Sequence, residues 1–289
     1  MSVINNAPTK PTSLWRNRDF MLLWSGQIVS TLGTESSSIV YPLLILAITG
    51  SPAAAGIASA LQTLPYLLIS LPAGALIDRW DRKRVMILCD IGRGLLVAGV
   101  AIAALFNFLT IWQIYFTALI DGSLFVLFNI AEMVAVTRVV PKEQLPQATG
   151  QNEAAFGVVT ITAPSVGTFL YGALGRAVPF VFDAISYAVS VVSLTFIKTP
   201  FQEKRVITER NLWKEMAEGL RWLWNEPIVR FMAFAFRPIG MTIGGFLLDR
   251  FGSTSTILLF SIWLLALAIF TTSNQHIRTA RPIAQATTD

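Results

Sequence analysis

Charge is scarce in this sequence. Of its 289 residues, 13% are Asp, Glu, Lys or Arg, against about 25% in a soluble domain. So few charges cannot coat a water-soluble globule of this size. A soluble all-α protein with an oversized core is also excluded, because the apolar runs exceed the ~18 residues that mark a membrane span. Cysteine is nearly missing. The single Cys89 rules out a disulfide framework and, inside an apolar run, reads as a small packing residue. The lone His276 falls in a polar tail and reads as an exposed tail residue. No G-x-x-x-x-G-K-[ST] loop occurs, so nothing marks an ATP-driven pump. No catalytic constellation, metal site or cofactor is expected, and an enzyme is not the reading. The formal charge of +5 raises nucleic acid as a partner. The basic residues sit in short links between apolar runs, however, a pattern that serves orientation in a bilayer.

What is present is apolar, at 54% of the chain. The expected class is an all-α integral membrane protein. A polar N-terminal tail covers residues 1–17. Six spans follow within residues 18–198, at about Phe20–Ile48, Ala53–Ile77, Val85–Phe106, Ile111–Thr137, Ala154–Leu174 and Phe180–Ile197. Pro65 and Pro72 lie inside the second, where neighbouring helices and water can satisfy the freed carbonyls. Residues 199–226 form a charged linker. Within it Leu212, Met216, Leu220 and Trp224 recur every fourth residue, with Lys214, Glu215, Glu218 and Arg221 on other faces. That spacing predicts an amphipathic helix lying in the membrane interface; a partner-binding helix is the alternative. Residues 227–273 hold two further apolar stretches, for about eight spans in all, and 274–289 are a polar tail. With alternating spans, seventeen Lys and Arg residues fall on one side and two, Arg176 and Arg250, on the other, while Arg93, Arg230 and Arg237 fall within spans. The excess predicts a multi-pass protein of the cell membrane with both termini cytoplasmic.

The link between the second and third spans, "GALIDRWDRKR" at 74–84, gathers two Asp, three Arg and one Lys. As a topology anchor it needs Arg82, Lys83 and Arg84, but not Gly74 or the Asp78–Arg79 pair. The pattern G-x-L-x-D-R-x-x-R-[KR]-[RK] at this place resembles the signature of the major facilitator superfamily of secondary transporters, with Asp81 where many members carry Gly. "LWSGQIVSTLG", "CDIGRGLL", "VVPKEQLPQATG" and "PFVFDAISYAVSVVSL" are similar to its macrolide and siderophore efflux branch. "APSVGT" at 163–168 resembles the antiporter motif G-P-x-x-G-G, with Ala163 and Thr168 replacing two glycines. Pro164 and Gly167 remain, able to allow a kink and close packing. The resemblance implies that the charged link latches the cytoplasmic side and releases during transport. That gating role is carried to Gly74 for close helix approach, to Asp78 and Arg79, and to Arg82.

The same resemblance implies a small-molecule substrate bound between spans 1, 2, 4 and 5 and a second half, and an ion gradient as the energy source. Intramembrane carboxyls are then the candidates for substrate or proton coupling: Glu35 near mid-depth in span 1, Asp121 in span 4, and Asp183 near the outer end of span 6. Asp90 and Arg93, three apart on span 3, read as a local packing pair. Asp183 can also be read as a helix-start charge near water.

Superfamily members have twelve spans in two halves. Residues 18–198 match one half, and "RPIGMTIGGFLLDRFGSTSTILLFSIWLLALAIF" resembles the end of helix 11 followed by helix 12. An internal deletion of about four helices is the expectation, joined near Phe236–Arg237. A second reading takes "GGFLLDRFG" as a copy of the charged link. A central Arg237 would cost the fused span about 2.5–3.5 kcal/mol, against a gain of roughly 0.3–0.6 for each apolar residue. Two functions are therefore weighed: gradient-driven export of amphipathic small molecules, and a non-transporting truncated or regulatory membrane protein. Two copies forming a homodimer could rebuild the cavity between halves. Otherwise water or lipid must satisfy the polar groups of the open face.

Overall fold

The computed structural model describes residues 13–202, 221, 224–225 and 238–273. Most of the expected interfacial helix, residues 1–12 of the N-terminal tail, the C-terminal tail and Arg237 lie outside these. The described residues form helices α1 (Arg18–Ser38), α2 (Val40–Thr49), α3 (Pro52–Ile77), α4 (Arg82–Leu105), α5 (Ile111–Val139), α6 (Leu145–Leu174), α7 (Val178–Phe196) and α8 (Pro238–Ser273), with two short 3₁₀ turns and no strand among them. Among the described residues, six segments are long and apolar enough to cross a membrane: α1 with α2, then α3, α4, α5, α6 with its leading turn, and α7.

Local chemistry sets the helix starts. The side chains of Asn17, Ser51, Asp81 and Thr110 each accept from the backbone N–H three residues on, satisfying a donor the helix cannot. Pro52 follows Ser51 at a first-turn position where its missing N–H is harmless. The first span is one apolar run in sequence but breaks at Ile39. Pro42 explains the break: it has no N–H for the carbonyl of Ser38, four residues back. The fifth span starts at Leu145, nine residues earlier than its apolar run, so polar residues expected in the link extend the helix instead.

The helices pack α1 on α7 and α6, α3 on α5, and α4 on α5 and α7. Two apolar clusters fill the bundle. One, around Phe20, Met86, Phe128 and Leu194, lies at the end that carries the 78–84 link. The other, around Val40, Ile45, Val100, Ile114 and Phe180, lies toward the opposite end. Between them, α1, α4, α5 and α7 present buried polar residues.

The helix α8 runs along α3. It is bent sharply at Gly252, whose φ of 76° suits only a residue without a Cβ. Gly244 lies against the Phe260 ring, a contact that a straight helix would hold about 24 Å apart. The two arms therefore fold back on each other, as two separate apolar stretches require. Gly245 meets the start of α3 at Pro52, Ala53 and Gly56.

Candidate functional site

The polar layer is built around Arg93 of α4, which is 3% exposed. Its Nε donates to Asp121 Oδ1 of α5 at 2.9 Å. Its guanidinium carbon lies 4.8 Å from the Phe125 ring centre and 4.6 Å from that of Tyr187, a cation between two π faces. The local Asp90–Arg93 pair expected from sequence is not formed. Arg93 spans to the next helix, and Asp90 instead accepts from the Ser190 hydroxyl of α7 at 2.6 Å.

Asp183 is 1% exposed, so it is not a helix-start charge near water. It lies inside the second turn of α7, which starts at Val178, and packs against α1. Three hydroxyls hold it: Ser37 donates to Oδ2 at 2.5 Å, Thr34 to Oδ1 at 3.3 Å, and Ser186 to Oδ1 at 3.4 Å. Thr34 also shares a 2.8 Å hydrogen bond with the Tyr187 hydroxyl, so the ring over Arg93 joins the two acids into one network. The predicted residues Asp121 and Asp183 thus belong to one layer. Glu35, next to Thr34 on α1, is half-buried. The residues missed in the sequence are Tyr187 and Ser190. A signal existed for Ser190: Ser186, Ser190 and Ser193 recur on one face of α7, opposite Gly26 and Gly33 of α1.

Asp121 also borders a cavity of about 30 Å³ between α2, α3 and α5, whose polar lining includes Ser38, Tyr41, Ser59, Gln62 and Thr117. That volume suits a water or two. Gly167 of α6 packs directly on the carbonyl of Ser36, beside the break in the first span, and Pro164 sits three residues earlier within an unbroken α6.

The charged link is more than a row of anchors. Asp81 caps α4, which gives this residue a purpose where a glycine is common. Arg82 is 6% exposed; it pairs with Asp78 at 3.0 Å and donates to the Phe201 carbonyl at 3.1 Å. Lys83 donates to the carbonyls of Thr195 and Ile197, closing the end of α7 with a cation where the helix dipole is negative. Asp19 accepts from the backbone of Lys198 and Thr199. Arg79 is exposed. Among the described residues, none would lie within 4 Å of a Cβ placed at Gly74.

Comparison with known proteins adds a family. The model of the Major Facilitator Superfamily matches residues 23–238. The chain belongs to the major facilitator superfamily. It is a multi-pass membrane protein. Curated relatives in the superfamily include an uncharacterized MFS-type transporter, YkuC, of Bacillus subtilis, 23% identical over 81% of this chain and 56% of its own length. Macrolide efflux protein A of Streptococcus pyogenes is 27% identical over 70% of this chain and 50% of its own. The multidrug efflux pump Tap of Mycolicibacterium fortuitum is 27% identical over 74% and 54%. The chain thus spans about half the length of the curated relatives it matches.

Proposed function

We propose that the chain supplies the six-helix half of a secondary transporter in the cell membrane, one that exports amphipathic small molecules in exchange for protons. The observation that carries this reading is Asp183, a buried carboxyl held by three hydroxyls, in one layer with an ion pair that borders a polar cavity. A hydroxyl can donate to a carboxylate or accept from a carboxylic acid. Such a site tolerates gain and loss of a proton, which an arginine partner would oppose. Asp121 and Glu35 are the further coupling candidates. Substrate binds where α1–α2, α3, α5 and α6 converge, and no bond is made or broken.

The link end faces the cytoplasm, where the positive charge gathers. There Asp78, Arg79 and Arg82 act as the latch. The α6 face is completed by a second copy. Of the most apolar part of α6, 17% is buried, against 44% for α4, and Gly150, Gly157 and Gly172 on α6 have open space where another helix could approach. Lipid need not be repelled meanwhile, because the exposed Thr160, Thr162 and Thr168 donate to carbonyls of their own helix.

The experiment is export of a fluorescent amphiphile from proteoliposomes under an imposed pH gradient, compared with a voltage of equal size. Export should follow the pH gradient, and Asp183→Asn should abolish it while leaving insertion intact. Undiminished gradient-driven export from the Asp183→Asn, Asp121→Asn and Glu35→Gln variants alike would overturn proton coupling through this layer.

A further inference from the structure

Asp90 stands one helical turn before Arg93 on α4 and is 1% exposed. Residues at that spacing share a helix face and can pair, yet Arg93 reaches to Asp121 instead. Asp90 is left with one donor, the Ser190 hydroxyl on Oδ2, while its buried Oδ1 makes no hydrogen bond. Gln27 of α1 backs the serine, donating to Ser190 Oγ at 3.3 Å. The ionisable groups around Asp90 are Cys89 and Arg93 on its own helix and Asp121 and Glu132 on α5. Helix α7 brings Ser190 and, against Arg93, the Tyr187 ring, and α1 brings the neutral Gln27.

A carboxylate so placed within a membrane span is several kcal/mol out of balance unless a proton or a cation neutralises it. A hard metal ion is a poor answer. It asks for about six oxygens or more, whereas Asp90 meets one hydroxyl and has a guanidinium one turn away. A proton and Arg93 remain.

We propose that Asp90 is a proton-binding residue and that Arg93 is the shared arm of a two-position charge switch. With the proton on Asp90, Arg93 pairs with Asp121, as here. When the proton leaves to water, the Asp90 carboxylate draws the guanidinium back along α4, and Asp121, losing its partner, is solvated by water in the polar cavity it lines. Arg93 keeps its charge throughout; one proton is the only species exchanged. The value of this switch to export rests on the transporter reading, but its existence does not.

Infrared spectroscopy of the purified full chain in lipid, scanned over pH, reads the carbonyl stretch of protonated carboxyls. Asp90→Asn should remove one component of that band. Asp121→Asn frees Arg93 for Asp90 and should remove the same component, whereas Asp183→Asn should leave it. Ser190→Ala, which retains the acid but loses its donor, should shift the component in frequency, so a misfolded Asp90 variant is not mistaken for the result. A band unchanged by Asp90→Asn at every pH overturns the proton site. Survival of the Asp90 component in Asp121→Asn overturns the sharing of Arg93. Because no transport is needed, the result stands apart from that of the export assay.

Discussion

Arg93 shows why a single residue in a membrane span cannot be read alone. On its own helix the nearest acid is Asp90, and the sequence offers that pair first. The longer reach to Asp121 wins because α4 and α5 pack side by side and two aromatic faces hold the guanidinium in place. No single-sequence pattern encodes which of two acids an arginine will choose, since the choice depends on helix packing. That Asp121 and Asp183 lie within apolar runs was legible; that Tyr187 and Thr34 bridge them was not. Removing one partner of a buried pair leaves the other uncompensated, at about 3–5 kcal/mol. Arg93→Met should therefore destabilise the bundle by that order, and the double variant Arg93→Met with Asp121→Leu should recover much of the loss. Thermal unfolding in detergent, followed by circular dichroism, checks both. Equal melting of the single and double variants would detach Arg93 from Asp121.

At the scale of elements, the apolar runs and the turn residues between them reveal the order of the helices, and the caps tighten their starts. Less was legible where backbone chemistry acts across distance. The break at Ile39 follows from Pro42, three residues away, and the early start of α6 comes from polar residues that an apolar run does not include. Asp81 offers a direct check on capping. Asp81→Ala should cost about 1 kcal/mol by removing the acceptor for the Arg84 N–H, whereas Asp81→Asn should be nearly neutral. Two glycines make a second check, read by thermal unfolding. Gly167→Val presses side-chain atoms on the Ser36 carbonyl and on Ile39, 3.1 Å from where its Cβ would lie, and overpacking of this kind costs about 1–3 kcal/mol. Gly74→Ala meets open space and should be tolerated for stability. If both variants melt like the native chain, the tight α1–α6 contact is not formed in solution.

For the whole molecule, the orientation proposed from the basic residues is testable in intact cells. In a Cys89→Ser background, cysteines at Thr49 and Asn107 should react with an impermeant maleimide from outside. Cysteines at Lys83 and Lys142 should react only after permeabilisation; outside reaction at Lys83 would invert the topology. The superfamily was legible from the charged link at 74–84, because its spacing belongs to one place between two spans. What covers the exposed face of α6 was not, since no pattern within one chain names its partner. The account holds that export requires that face to be covered by a second copy. Export driven by a pH gradient, measured across a series of protein-to-lipid ratios with the number of chains per vesicle counted by photobleaching, tests this most directly. Vesicles holding two or more chains should export and vesicles holding one should not; robust export from vesicles with a single chain would contradict the account.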